Sequence, residues 1–302
     1  MPPLQVKAPG VHKVLLKAPA PAIVAGLAFL VLFWQPMVTL GRDWWTDPDA
    51  GHGLLLAPLA VLLAWRKGLV YPSITPREPR TAGQAWVGVA ILIGAVLLRY
   101  LSGLAAELFT MRLSMLGAAA GLIVFYAGLR QLRHWWLPSI LLLLSIPIPD
   151  VLLNSLALPL QLQASRIGAW LLESRHVPVS LAGNILQIPG QTFFVTEACS
   201  GLRSLTALIA LGVLIGGLWL RTPWARIAIV AAAIPFAIAI NGVRVFLTGF
   251  LAYFVSPSLA EGMMHYTEGW VLFVIAFAAL GALGLSLRFL ERPTRHVAEK
   301  ET

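Results

Sequence analysis

The sequence of 302 residues has few charged side chains and a single cysteine. Charged residues make up 12% of the chain and hydrophobic residues 58%, whereas soluble domains contain about 25% charged residues. A soluble core could not cover this much apolar surface, so the composition excludes a soluble globular protein and indicates an integral membrane protein. The single cysteine excludes an intrachain disulfide and any zinc site with several cysteine ligands.

Acidic residues are also scarce, with 13 against 22 basic ones and a formal net charge of +9. In a soluble protein this imbalance would suggest a nucleic-acid partner. Here the Lys and Arg residues lie in short segments between apolar runs, as the positive-inside rule requires of a membrane protein. We therefore expect no nucleic-acid partner. The first 18 residues are too polar for a cleavable signal peptide, so we interpret the first apolar run as an uncleaved span.

The apolar runs predict an all-α polytopic membrane protein, since a spanning helix needs about 20 mostly apolar residues. We expect residues 1–302 to form a single integral membrane domain, with no soluble C-terminal domain. The eight candidate spans are Pro21–Leu40, Gly53–Trp65, Gly83–Leu98, Leu113–Leu129, Trp135–Ile148, Leu202–Leu220, Ile227–Thr248 and Gly269–Leu287.

The distribution of basic residues predicts the orientation of these spans. With the N-terminus inside, most of the 22 basic residues fall in the inner segments, although the outer segments are longer. Both termini are therefore expected in the cytoplasm. The same orientation brings Cys199, Arg244 and His265 to the outer side, with His265 in the loop before the eighth span.

The longest outer segment, residues 150–198, is less uniformly apolar than the spans. Polar residues interrupt Val151–Glu173, which predicts an amphipathic helix at the interface or packed over the bundle. Val177–Val195 is rich in β-branched and aromatic residues, and Pro189-Gly190 suits a type II turn. We expect a small outer β-hairpin here that leads directly into the cysteine.

Cys199 has neighbours that favour a reactive thiol over a buried core residue. Thr196 is a suitable N-cap, which would place Cys199 in the first turn of the sixth helix, where unpaired amides favour the thiolate. Gly201 removes bulk beside the sulfur. The nearby Arg203 and Glu197 would be costly to bury unless they face a cavity, another chain or the water interface.

Arg244 lies inside an apolar segment, in Ile240-Asn241-Gly242-Val243-Arg244. It is either an arginine that extends to the headgroups or a permanent cation that stabilises a thiolate or an oxyanion. Asn241 is nearly one turn earlier on a similar face.

Two histidines are candidates for proton transfer. His265 comes just before the last span, where imidazole can act as general base for a thiol and general acid for a leaving amine. His52, at the start of the second span, is either a competitor for that role or a substrate contact. The residues have no metal-ligand spacing, so we expect no metal and no cofactor.

Three sequence blocks resemble the exosortase family of polytopic bacterial membrane proteins. They are Thr196–Leu205, Asn241–Arg244 and His265–Gly269, in the family's order and spacing. The first block is long and specific, and the resemblance covers most of the chain. Gly51 stands where the family pattern has serine.

The resemblance implies a cysteine transpeptidase or endopeptidase of the bacterial inner membrane. Its substrates would be exported proteins that end in a Pro-Glu-Pro-type motif, one hydrophobic helix and a basic tail. Cys199 would be the nucleophile, His265 the acid and base, and Arg244 the stabilising cation, at a site that faces the periplasm. Arg203, Asn241 and His52 are the expected substrate contacts. Water, or an amine on an envelope glycan or lipid, would accept the acyl group.

Two other functions remain open from the residues alone. Arg244, His52 and His265 could form an anion or proton pathway in a transporter, which would survive loss of Cys199. A non-catalytic scaffold for envelope polysaccharide export would tolerate changes at all three candidate catalytic residues. Neither alternative explains the Thr196–Leu205 block.

Overall fold

The computed structural model describes residues 20–47, 49–69, 82–195, 202–255 and 263–291. These residues are mostly helical and fall into two compact units. The first comprises Met1–Asp43 and Glu78–Gly128, and the second Trp44–Arg77 and Leu129–Thr302. The two units are described separately below.

The first unit is built on a bent pair of helices and a tight helical hairpin. Helices α1 (Ala20–Leu32) and α2 (Trp34–Thr46) meet at an angle of 59°. Pro36 lies in the first turn of α2, and a proline cannot donate the backbone hydrogen bond that would continue α1 through this position. The last residues of α2 begin the second unit.

Helices α4 (Ala82–Leu104) and α5 (Leu108–Ala127) form the hairpin of the first unit. Gly88 allows this approach, because a Cβ there would lie 2.7 Å from the backbone nitrogen of Phe125. Glu107 caps α5 by accepting hydrogen bonds from the amides of Phe109 and Thr110. This cap explains why α5 begins at Leu108 and not at Leu113 as predicted.

A buried arginine joins α2 to α5 within the same unit. The guanidinium of Arg112 is almost fully buried and forms an ion pair with Asp43 at 2.5 Å. A buried cation is costly without such a partner, so this pair holds α2 against the hairpin.

The second unit contains the remaining helices and one small sheet. Helix α10 is its central element, since it packs against α8, α9 and α11. Helix α9 also packs against α7, and α7 against α3. The helices are α3 (Gly53–Lys67), α6 (Leu129–His134), α7 (Trp136–Leu144), α8 (Asp150–Glu173), α9 (Leu202–Trp219), α10 (Pro223–Phe254) and α11 (Met263–Leu290).

The sheet lies between α8 and α9 in the sequence. Where the sequence predicts a two-stranded hairpin, three antiparallel strands pair in the order β1 (Ser180–Ala182), β2 (Ile185–Ile188) and β3 (Gln191–Phe194). Gly190, in the turn between β2 and β3, has φ 83°, as the second central position of a type II turn requires. The third strand arises because Gly183, with φ 65°, allows another tight turn.

Four of the described helices are long and apolar enough to cross a membrane, and the bent α1–α2 pair would be a fifth span. These four are Gly83–Leu104, Leu108–Ala127, Pro223–Phe254 and Val271–Leu290, and Ser204–Trp219 is a shorter apolar helix. Helices α3 and α7, with 15 and 9 residues, are short for the two spans predicted there. The number of eight spans remains a prediction.

Candidate active site

Helix α10 takes part in two separate hydrophobic cores. With 32 residues it is about 48 Å long, whereas the hydrocarbon core of a bilayer is about 30 Å thick. Its first half, up to Ala237, packs with α9 and α11. Its last part, from Val245, packs with α8 and the sheet. The polar pair Asn241 and Arg244 therefore lies at the junction of the two cores.

Measured along the axis of α10, the first residues of α9 lie level with this junction. Close contacts fix how antiparallel α9 and α10 lie side by side, since a Cβ on Gly216 would meet Arg226 Cα at 3.5 Å. One turn further along, Gly212 faces Ile229 and Val230 in the same way. Counting along both helices from these contacts, Leu202 lies at about the height of Ile240.

The first turn of α11 lies slightly beyond the same junction. Glu291 accepts hydrogen bonds from the backbone amides of Arg221 and Thr222, which fixes the end of α11 against the start of α10. Counting from this contact, the backbone of His265 lies about four residues, or about 6 Å, beyond Arg244. Because α11 begins at Met263, His265 is in a helix, and its predicted place in a loop was wrong. Its side chain lies outside the described residues.

Asn241 and Arg244 lie on the face of α10 that is turned toward α9 and α11. They follow Ala237 by four and seven residues, and such spacings return to one face of a helix. Ala237 itself is buried in the core with α9 and α11. Asn241 is buried, with 3% of its surface exposed, and Arg244 is partly exposed.

A neighbouring side of this segment, about 100° around the helix axis, is held against α8 by two glycines. A Cβ on Gly242 would lie 2.4 Å from Ile167 Cγ2, and one on Gly168 would lie 2.5 Å from Val245 Cγ1. Neither position accepts a larger side chain without movement. This close packing fixes the position and rotation of α10 at Asn241 and Arg244.

A hydrogen-bonded cluster that sequence reasoning missed fixes the chain just before Thr196–Leu205, the block that contains Cys199 (the cysteine block). The side-chain amide of Asn184 donates to Gln161 Oε1 and to the carbonyl oxygen of Val195, at 3.2 Å each. The amide of Val195 in turn donates to the carbonyl oxygen of Asn184 at 3.0 Å. Gln161 is buried on α8. Gly183-Asn184 between two strand-like runs signals a turn, but no sequence pattern pairs Asn184 with Gln161.

Val195 and Leu205 bracket the cysteine block. Val195 is buried in the core that contains Val245, and Leu205 in the core that contains Ala237. Cys199 itself, with residues 196–201, lies outside the described residues, and so does its predicted N-cap Thr196. Arg203 is the second residue of α9, and its side chain also lies outside the described part.

His52 has a defined partner within the second unit. Its Nε2 lies 3.1 Å from the carbonyl oxygen of Leu144 at the end of α7. The indole of Trp44 donates to the adjacent carbonyl of Ser145 at 2.7 Å. His52 therefore fastens the start of α3 to the end of α7, and its role as a substrate contact remains a prediction.

These features define a mostly helical membrane protein with a small three-stranded sheet between α8 and α9 in the sequence. The family model for transmembrane exosortases matches residues 44–282, and the chain belongs to this family. Membership suggests a membrane sorting transpeptidase. Comparisons with curated proteins and with solved structures return no match.

Proposed function

We propose that the protein is a cysteine transpeptidase of the bacterial inner membrane that cleaves C-terminal sorting signals from exported proteins. The observation that carries this proposal is the position of Arg244 along α10. It lies close to the level of the start of α9, on the helix face turned toward both α9 and α11. Membership of the transmembrane exosortase family supports the reaction class.

The neighbouring cores support placing Cys199 beside Arg244. The chain leaves one core at Val195 and enters the other at Leu205, and α10 passes between the same two cores at Asn241–Arg244. If α9 extends backward from Leu202 in helical geometry, position 199 reaches about the height of Val243. The same count leaves the backbone of His265 about one turn beyond Arg244.

In the proposed reaction, His265 accepts the proton of the Cys199 thiol, and the sulfur attacks the carbonyl carbon of the scissile peptide. Arg244 stabilises the negative oxygen of the tetrahedral intermediate. Collapse breaks the C–N bond, and His265 returns the proton to the leaving amine. The acyl-enzyme is then resolved by water, which gives hydrolysis, or by an amine on an envelope glycan or lipid, which gives transfer.

The proposed substrate is the one that the family resemblance implies, and the proposed orientation agrees with it. If both termini are cytoplasmic, Arg244 and the sheet face the periplasm. A substrate helix with a basic tail inserts with that tail inside, which brings its Pro-Glu-Pro-type motif to the same outer level. Arg203, Asn241 and His52 are the proposed contacts for this motif.

The test is processing of an exported reporter that ends in such a signal, followed by mass spectrometry of its new C-terminus. Loss of the tail with the wild type and not with Cys199→Ala supports the proposal. Ser286→Ala is a matched control, because it removes one exposed hydroxyl near the other end of α11. Equal processing with wild type and Cys199→Ala would overturn the mechanism.

A further inference from the structure

An apolar groove of about 380 Å³ lies between α7, α9 and α10, far along α10 from the candidate active site. Its volume is within the range of about 300–1,000 Å³ that is typical of ligand pockets. It follows α10 from Arg226 to Ile234, a rise of about 12 Å. Ile140 and Ile234 line the groove, and their side chains are exposed.

At one end of the groove two cations lie near a tryptophan: Arg226 and Trp136 line the groove, and Lys67 lies beside Trp136. The ring of Trp136 lies 5.0 Å from Arg226 Cζ and 5.9 Å from Lys67 Nζ. Arg226 also donates from Nε and Nη2 to the carbonyl oxygen of Leu220, and Lys67 donates to that of His134. These contacts fix both cations and use only part of their donors, since Arg has five N–H donors and Lys three.

In the part of the chain that the structure describes, the two cations at this end, Lys67 and Arg226, lack a close carboxylate partner. Glu291 feels the charge of Arg226, but it is engaged by the hydroxyl of Thr222 and the backbone amides at the start of α10. Two cations near one indole repel each other, so a bound anion would stabilise the pair.

We propose that this groove binds an anionic glycerophospholipid, with an acyl chain along α10 and the phosphate at Lys67 and Arg226. Basic pockets between membrane helices bind such headgroups, and the tryptophan suits the boundary between headgroup and acyl chain. A substrate's basic tail is repelled from the same place. The proposal does not depend on the catalytic mechanism, because binding is measured without turnover.

The experiment is native mass spectrometry of detergent-purified protein with phosphatidylglycerol or phosphatidylcholine. The wild type should retain phosphatidylglycerol preferentially, and Lys67→Gln and Arg226→Gln should each lower retention about five-fold. Arg66→Gln with Arg288→Gln is the matched control, since both side chains are basic, exposed and outside the groove. Equal retention of the two lipids by the wild type, or an equal loss in the control pair, would overturn the proposal.

A second variant separates groove binding from surface charge. Ala231 is exposed and lines the groove, so Ala231→Trp should fill it and lower phosphatidylglycerol retention while leaving both cations in place. Ala239→Trp, on an exposed part of α10 outside the groove, should retain the lipid. Full retention of phosphatidylglycerol by Ala231→Trp would contradict the assignment.

Discussion

Asn184, in the turn between β1 and β2, donates a hydrogen bond to the side-chain oxygen of the buried Gln161 on α8 at 3.2 Å. The same amide group holds the carbonyl of Val195, the last described residue before the cysteine block. The sheet is thus fastened to α8 at the point where the chain turns toward Cys199. This contact gives the sheet a mechanical role in the proposed site.

The first prediction concerns that contact. Asn184→Ala leaves the buried oxygen of Gln161 without its donor, which should lower the free energy of unfolding by about 1–3 kcal/mol. At a temperature where the variant is folded, kcat for reporter processing should fall with little change in KM, because the segment before Cys199 loses its anchor. Ser155→Ala, an exposed hydroxyl change on α8, is the control. Unchanged kcat in folded Asn184→Ala would show that the contact is only structural.

The second prediction concerns the packing of α8 on α10. Gly242→Ala places a Cβ 2.4 Å from Ile167 Cγ2, which should destabilise the protein by about 1–3 kcal/mol and slow processing. Adding Ile167→Ala to Gly242→Ala should restore part of the lost stability and part of the lost processing rate. Gly281→Ala on α11 is the matched control, because its Cβ would meet nothing within 4 Å. Thermal unfolding and reporter processing measure both effects, and full activity of Gly242→Ala would contradict the close packing.

The third prediction concerns the proposed role of Arg244. Arg244→Gln should lower kcat by about 10²–10³-fold, the typical cost of losing one oxyanion donor. Arg244→Lys should retain more activity than Arg244→Gln, because lysine keeps the positive charge although it lacks the planar fork of donors. Arg288→Gln, an exposed change near the end of α11, should have little effect. Similar single-turnover rates for wild type and Arg244→Gln would remove Arg244 from the mechanism.

The fourth prediction is a pH dependence from the cap of α5. Burial acts to raise the pKa of Glu107, but the hydrogen bonds from the side chain and amide of Thr110 and the amide of Phe109 outweigh it and lower the pKa below its ordinary value of 4.5. The stability that this carboxylate contributes is therefore complete above pH 4.5 and is lost as the pH falls through the lowered value.

Thermal unfolding between neutral pH and pH 3 tests this cap. The wild type should lose stability below pH 4.5 more steeply than Glu107→Gln, which lacks the titrating carboxylate. Glu173→Gln, an exposed change at the end of α8, should follow the wild type. Parallel curves for wild type and Glu107→Gln would contradict the prediction.

The approximate positions of most helices could be predicted because apolar runs report burial in lipid directly. Their ends were less predictable. Helix α5 begins five residues before its predicted start because Glu107 caps it, and α11 extends back to Met263, which brings His265 into a helix. Polar first turns and caps depend on local hydrogen bonds that hydropathy does not register.

The sequence by itself determined the class of protein, its family and the three blocks that bear the proposed chemistry, because composition and motif spacing are properties of the chain alone. Only the tertiary structure decided that Asn241 and Arg244 lie where two cores meet, and that Gln161 and Asn184 hold the chain before Cys199. The groove beside Arg226 was likewise decided only by the tertiary structure. These relationships join residues far apart in sequence, and they depend on how closely helices approach, which small residues such as Gly242, Gly168 and Gly216 permit through packing.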